Sequence, residues 1–252
     1  MKNSLTQATE PDKPIALRVS AHHPSLGLLM ASALGAVALM ALAQWLLGLG
    51  AAEPNVLLAT SAFALSAVAC AYAMYRTYPH DRIGLCNFAT LARLVIVGVL
   101  FVAMLEPVPT SMGLLVLAIV ALCLDGVDGW LARREKLVSR FGARFDVEVD
   151  AAFALLLAVH AVRTDVAGLY VLVLGLPYYL FWIARMLWPW LNAPLPERLS
   201  RKAICVLQIA TLVALLVPQF VGVPLDALVA IAAVALAWSF GRDILWLHRS
   251  RV

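Results

Sequence analysis

Four aspartates near the middle of the chain have the residue type and spacing that bind metal ions. Asp125 and Asp128 are separated by three positions, and Asp146 and Asp150 by four. On a helix, either spacing places both side chains on one face. Four carboxylates held together repel one another unless cations neutralise them, and oxygen ligands of this kind suit magnesium, manganese or calcium. We therefore predict a site for two divalent cations at these residues.

Neighbouring residues refine this prediction. Glu148 points to a different face of the helix, so we leave it out of the metal ligands. Gly129 removes a side chain where a ligand could approach closely. Arg133, one turn further, could hold a phosphate by paired hydrogen bonds. Any one of the aspartates alone could instead be a solvated helix cap, but the helix dipole disfavours carboxylates at a helix C-terminus.

The composition indicates which elements position these residues. Of 252 residues, 63% are hydrophobic and 13% are charged, whereas soluble domains carry about 25% charged residues. This excludes a soluble enzyme, a nucleic-acid binder and a disordered scaffold as primary interpretations. Long apolar runs predict an all-α, polytopic membrane bundle of eight transmembrane helices. The predicted spans are Gly27–Gly50, Pro54–Tyr75, Gly84–Leu105, Ser111–Leu131, Val147–Val162, Ala167–Trp188, Ala203–Phe220 and Pro224–Leu247.

The basic residues predict the orientation of these spans. Of the 19 Lys and Arg residues, 15 fall in the tails and connections on one side and only Arg163 falls in a connection on the other. The other three, Arg93, Arg185 and Arg242, lie within spans but nearer the first side. Positive charge collects on the cytoplasmic side, so both termini are predicted to be cytoplasmic in a cell (inner) membrane. The connection between the two aspartate pairs is short. We therefore predict that the fourth and fifth spans are antiparallel neighbours with their acidic faces at one cytoplasmic depth.

The segment Asp125–Asp150 reads DGVDGWLARREKLVSRFGARFDVEVD, or D-x2-D-G-x2-A-R-x8-G-x3-D-x3-D. This pattern resembles the signature of the class I CDP-alcohol phosphatidyltransferase family. The signature positions are Asp125, Asp128, Gly129, Ala132, Arg133, Gly142, Asp146 and Asp150. Weaker similarities are Asn87, Thr90 and Arg93 to an N-x2-T-x2-R element, and Lys202 and Gln208 to the fifth core helix, where Arg201 and Cys205 replace the common glycine and threonine.

The resemblance implies a homodimer that transfers a phosphatidyl group from a CDP-alcohol, such as CDP-diacylglycerol, to an acceptor hydroxyl and releases CMP. It implies that Asp125, Asp128 and Asp146 ligate two Mg²⁺ or Mn²⁺ ions, and that Asp150 completes the metal site and acts as general base. The residues implied to border the CDP group are Gly129, Ala132 and Arg133, with Asn87 and Thr90 nearby.

The resemblance also divides the chain. Residues 83–252 correspond to the six-helix catalytic core of the family. Residues 1–82, a tail with two accessory spans, depart from the six-span pattern. These spans could cover the dimer surface, shape a lipid entry path or add membrane anchoring.

Two features leave alternatives open. Arg185, Arg198, Arg201 and Lys202 form either a pocket for a phosphorylated acceptor or ordinary positive-inside anchors. The acidic cluster could also belong to a membrane transporter with a carboxylate ion site, or to an aspartate-rich membrane prenyltransferase. A transporter should distribute acids through the membrane depth, and a prenyltransferase should place its motifs in two distant loops. Here, four aspartates fall within 26 residues.

Overall fold

The computed structural model describes residues 23–106, 111–196, 198–217 and 225–249. Within these ranges the chain is helical and has no β-strand, which confirms the predicted all-α class. The predicted tail before residue 23 and the span ends at Phe220 and Pro224 lie outside the described residues. The helices are α1 (Pro24–Leu47), α2 (Pro54–Thr77), α3 (Leu85–Leu105), α4 (Met112–Glu135), α5 (Arg140–Arg163), α6 (Leu172–Gly175), α7 (Pro177–Leu187), α8 (Leu199–Ala214) and α9 (Leu225–Arg249).

In the part of the chain that the structure describes, five helices, α1, α2, α3, α4 and α9, are long and apolar enough to cross a membrane. Leu169–Gly175 and Pro177–Leu187 form a sixth candidate, a pair of segments bent by 62°. α8 has 16 residues, about 24 Å of helix, which is shorter than a hydrocarbon core of about 30 Å. α5 carries several acidic residues in its first half. Length and composition therefore indicate a multi-pass membrane protein, and the count of eight spans stays a prediction.

The predicted span Ala167–Trp188 is broken in the structure. Pro177 follows the break, and a proline lacks the N–H needed to continue the helix and clashes with the preceding turn. Gly175 packs tightly on α5. A Cβ at this position would lie only 3.0 Å from both Ala158 Cβ and Leu155 Cα. Proline geometry and this close approach together account for the bend, which hydropathy alone does not reveal.

α5 begins earlier than predicted. Ser139 Oγ accepts a hydrogen bond from the Gly142 N–H at 3.0 Å and caps the helix, which starts at Arg140. The sequence prediction began at Val147, because the preceding turns are too polar to be counted as membrane-spanning. Asp146 therefore lies in the second turn of a capped helix, with helical residues both before and after it.

α3 is the most buried of the five candidate spans, and α1, α2, α4 and α5 all pack against it. The accessory helix α1 approaches closely, since a Cβ on Gly98 would lie 2.3 Å from Leu39 Cδ1. At the far end, Asn55 Nδ2 donates to Glu106 Oε1 at 2.8 Å and ties α2 to the end of α3. The accessory pair α1–α2 is thus packed directly on the central helix of the bundle.

The sequence predicts that α4 and α5 are neighbours with their acidic faces at one depth, and carboxylate oxygens of Asp125 and Asp128 on α4 lie within 4.8 Å of one from Asp146 on α5. Both helices also pack extensively against α3. A short connection constrains the ends of two helices, but it does not prevent a third helix from packing against both. α3 therefore becomes part of the site that the aspartates form.

Candidate active site

The four predicted aspartates converge on the guanidinium group of Arg93. Arg93 lies on α3 and is 1% exposed. Its Nη1 lies 3.2 Å from Asp125 Oδ1, 3.1 Å from Asp128 Oδ2 and 2.5 Å from Asp146 Oδ1. Its Nη2 contacts Asp150 Oδ1. The structure thus brings together both acidic pairs, one from α4 and one from α5, through a side chain of α3.

Three of the aspartates also lie close enough to share one cation. Asp125, Asp128 and Asp146 each offer a carboxylate oxygen, and these atoms lie within 4.8 Å of one another. Asp128 is almost fully buried and accepts a hydrogen bond from Thr90 Oγ1 at 3.2 Å. The side chains of Asp125, Asp146 and Asp150 remain 28%, 32% and 28% exposed. The cluster is therefore anchored at Asp128 and open to ligands at its other members.

Glu148 lies outside this cluster, as predicted. Its carboxylate is 3.8 Å from Arg144 Nε, one turn earlier on α5, and both side chains are substantially exposed. The difference from Asp146 and Asp150 follows from helix geometry, because position 148 faces away from positions 146 and 150.

Asn87 lies one turn before Thr90 on α3 and is 2% exposed. Its Nδ2 donates to the phenol oxygen of Tyr78 at 3.3 Å. Burial raises the pKa of the Tyr78 phenol above its usual range. A Cβ on Gly142 would lie 3.7 Å from Asn87 Oδ1, so the start of α5 passes close to this amide. Tyr78 follows α2 directly, and the accessory pair therefore contacts the same end of α3 that carries the site.

Gly129, Ala132 and Arg133 lie in the last turns of α4. Arg133 is exposed, and its Nη1 lies 3.5 Å from the position that a Cβ on Gly129 would take. The Arg133 guanidinium therefore lies close to the backbone of Gly129. Glu135, at the end of α4, accepts a hydrogen bond from the Leu85 N–H at 3.0 Å. This contact joins the end of α4 to the beginning of α3.

A second charged cluster joins α8 to α9 around Asp243, which is 6% exposed. Arg201 Nε lies 2.8 Å from Asp243 Oδ2, while Arg198 Nη1 and Arg242 Nε each lie 3.9 Å from Asp243 Oδ1. The Arg242 guanidinium also lies over the Trp238 ring, 4.4 Å from its centroid. Because three guanidinium groups surround one carboxylate, the cluster is left with a net positive charge.

The remaining predicted acceptor residues have other surroundings. Arg185 is exposed on α7, and its Nε donates to Asn192 Oδ1 at 2.9 Å. Lys202 is exposed on α8, next to Arg201. Of the predicted acceptor residues, the structure therefore joins Arg198 and Arg201 at Asp243 and gives Arg185 a partner of its own.

A family model for CDP-alcohol phosphatidyltransferase matches residues 83–240, more than half of the chain. The chain belongs to this family. No curated protein and no solved structure matched it. Membership confirms the predicted resemblance and places the protein in a class of phosphotransferases, which favours phosphatidyl transfer over a transporter or a prenyltransferase. Helices α1 and α2 precede the matched residues.

The residues of this chain fit the metal ions on which the family typically depends. Hard divalent cations prefer carboxylate oxygens, and the triad of Asp125, Asp128 and Asp146 supplies three from three different side chains. With Asp150, the site holds four carboxylates against one guanidinium, so it carries excess negative charge. Such an excess near a membrane favours binding of cations.

Arg93, Asp243 and Tyr78 had no predicted role in these contacts, and neither did Arg242 at Asp243. Arg93 matched a family element, but nothing in its spacing shows that it meets both aspartate pairs. Asp243 could have been noticed as an acid within an apolar helix, since such residues are rarely left without partners. Tyr78 carries no sequence signal for its contact with Asn87.

Proposed function

We propose that this protein is a metal-dependent phospholipid-synthesising enzyme that transfers a phosphatidyl group from CDP-diacylglycerol to an acceptor hydroxyl. The observation that carries the proposal is the convergence of Asp125, Asp128, Asp146 and Asp150 at one site of a chain belonging to this family. The new bond joins the acceptor oxygen to the lipid-bearing phosphorus. The bond from that phosphorus to the bridging oxygen breaks, and CMP leaves.

In this proposal Asp125, Asp128, Asp146 and Asp150 hold two Mg²⁺ or Mn²⁺ ions. Such ions supply electrostatic stabilisation of the pyrophosphate as negative charge develops on it. Arg133, beside Gly129, binds a phosphate of the CDP group by paired hydrogen bonds. Ala132 borders the nucleotide, with Asn87 and Thr90 nearby on α3.

Asp150 takes the proton that the acceptor hydroxyl loses as it attacks. This role is supported by its position, because Asp150 contacts Arg93 but is not among the three residues whose oxygens lie closest together. The Asp150 side chain is 28% exposed although its Oδ1 is buried, so its other oxygen is the one that an incoming hydroxyl would reach. General-base catalysis requires this access.

The proposed topology has eight spans, with both termini and the active site on the cytoplasmic side of a cell (inner) membrane. The distribution of basic residues supports it. We further propose that residues 83–252 form the catalytic core of a homodimer, and that residues 1–82 form the accessory part. At the membrane interface, the acyl chains of the donor stay in lipid while its CDP group and a polar acceptor meet in water.

A direct assay tests the proposed reaction. The purified protein is incubated with CDP-diacylglycerol, Mg²⁺ or Mn²⁺, and one acceptor at a time from a panel of glycerol phosphate, inositol phosphate, serine, choline and a second lipid. We expect metal-dependent release of CMP with one acceptor and an equal amount of a new phospholipid. Absence of CMP and of lipid product with every acceptor, in protein that is folded, would overturn the proposal.

Arg201 tests whether the acceptor carries a phosphate. We propose that the cluster at Asp243 binds such an acceptor, because its arginines outnumber its carboxylates. Arg201→Ala should raise the KM for a phosphorylated acceptor about 10- to 100-fold, since it removes a charge-assisted hydrogen bond. The KM for CDP-diacylglycerol should be unchanged.

Two comparisons make this measurement specific. Arg185→Ala removes a predicted acceptor residue outside the Asp243 cluster, so the two variants show which of these two arginines contributes to acceptor binding. Arg163→Ala removes an exposed arginine at the last residue of α5, at the end away from Asp146 and Asp150. It should leave the KM values for the acceptor and for CDP-diacylglycerol unchanged. Equal acceptor KM in Arg201→Ala and the wild type would contradict a role of the Asp243 cluster in acceptor binding.

A further inference from the structure

We propose that Arg93 competes with the divalent cations for the carboxylates of the acidic cluster, and so sets the affinity of the protein for its metal. The inference rests on the proposed function only for the identity of the ions. It assigns Arg93 a positioning role, because Arg93 holds the aspartates near one another until divalent ions bind them.

The first support is spatial. Arg93 Nη1 lies within 3.2 Å of carboxylate oxygens from Asp125, Asp128 and Asp146. These three residues offer oxygens that lie within 4.8 Å of one another. A cation ligated by all three would have to lie about 2.0–2.6 Å from each oxygen. Because Nη1 lies within 3.2 Å of an oxygen from each of the same three residues, it competes with a shared cation for the space between them.

The second support is electrostatic. The guanidinium of arginine is always protonated, and burial of Arg93 to 1% exposure shields its ion pairs from solvent. One positive charge only partly balances four carboxylates, whereas two divalent ions balance them completely. A guanidinium left beside two such ions would be repelled by both. Binding of metal therefore has to overcome the Arg93 ion pairs, and this requirement lowers the apparent metal affinity.

The third support is the position of Arg93 in the fold. α3 is the helix on which both α4 and α5 pack, and Arg93 is the residue of α3 that contacts both aspartate pairs. Removing its charge leaves the carboxylates without this partner, and breaking a buried ion pair is strongly destabilising. A divalent ion can replace the missing charge. Loss of Arg93 should therefore make folding depend on metal.

The test measures metal binding without turnover. The full-length wild type, Arg93→Gln and Arg93→Lys are purified in detergent, and Mn²⁺ binding is measured by titration calorimetry. We expect Arg93→Gln to bind Mn²⁺ at least about tenfold more tightly than the wild type, with Arg93→Lys in between. In thermal unfolding, Arg93→Gln should have a lower Tm in EDTA and a larger increase in Tm on addition of Mn²⁺.

The opposite ranking overturns the inference. If Arg93→Gln is folded and binds Mn²⁺ as the wild type does, or more weakly, then Arg93 supports the metal site instead of competing for it. If Arg93→Gln is recovered only in Mn²⁺, metal replaces the guanidinium and the inference is supported. If it is not recovered even in Mn²⁺, the double variant Arg93→Gln plus Asp150→Asn is compared with the single variant Asp150→Asn. The inference then requires that the double variant bind Mn²⁺ more tightly than the single variant.

A control variant and an activity assay distinguish the inference about Arg93 from the proposed function. Arg163→Gln removes an exposed arginine away from the cluster and should leave Mn²⁺ affinity and both Tm values unchanged. Tighter Mn²⁺ binding by Arg93→Gln in a protein that transfers no phosphatidyl group would support the inference and contradict the proposed function. If the wild type transfers a phosphatidyl group but Arg93→Gln has the Mn²⁺ affinity of the wild type, the proposed function is supported and the inference about Arg93 is contradicted.

Discussion

Asp150→Asn should reduce the kcat of phosphatidyl transfer about 100- to 10,000-fold while the protein still folds. The amide has nearly the same shape as the carboxylate, so it fits in the same position beside Arg93. It cannot take a proton from the acceptor hydroxyl, and it is a weaker ligand for a divalent cation. CMP release from CDP-diacylglycerol measures the rate, and the Tm in detergent reports on folding.

Glu148→Gln is the matched control for this variant. Glu148 is two residues away on the same helix, and its carboxylate pairs with Arg144 outside the acidic cluster. The same chemical change should therefore leave kcat within about twofold of the wild type, because surface ion pairs contribute little. Wild-type turnover in Asp150→Asn would contradict the assignment of the general base. Equal losses in both variants would indicate a general effect on α5.

Asp128→Asn should have the second large effect, on metal dependence. Asp128 is the most buried of the four aspartates and is held by Thr90 and Arg93. Loss of its charge should shift the Mn²⁺ concentration for half-maximal activity upward by at least about 100-fold, since changes to residues that merely support a metal ligand already alter affinity 10- to 100-fold. Rates measured across a Mn²⁺ titration give this shift.

Two further measurements show whether the shift comes from metal binding. EDTA should abolish wild-type activity, and added Mg²⁺ or Mn²⁺ should restore it. Asp226 lies at the start of α9 and accepts a hydrogen bond from the Tyr170 hydroxyl, outside the acidic cluster. Asp226→Asn should therefore leave the Mn²⁺ dependence of activity unchanged. An unchanged Mn²⁺ titration in Asp128→Asn would remove this residue from the metal ligands.

The four aspartates of the acidic site could be predicted because the two members of each pair are only three or four residues apart along the chain. A separation of three or four residues on a helix determines which side chains share a face, whatever the rest of the chain does. The pairs on α4 and α5 follow from this rule, as does the exclusion of Glu148. The family signature adds fixed positions between the pairs. None of these patterns depends on how one helix packs against another.

The partners of these residues could not be predicted in the same way. Asp243 and Arg201 are separated by 42 positions, and their contact depends on α8 packing against α9. Tyr78 reaches Asn87 because α2 ends beside the start of α3. The bend before Pro177 also depends on close packing of Gly175 against α5. Such contacts arise from the shapes of facing surfaces.

The sequence by itself determined that the protein belongs in a membrane, that four of its 15 acids form two pairs on helices, and that its signature is that of one enzyme family. The tertiary structure decided that α3 packs against both α4 and α5 and brings Arg93 to all four aspartates. The physical reason is the range of the interactions. Hydropathy and helical periodicity act along the chain, whereas helix packing depends on contacts between distant residues, such as Leu39 against Gly98.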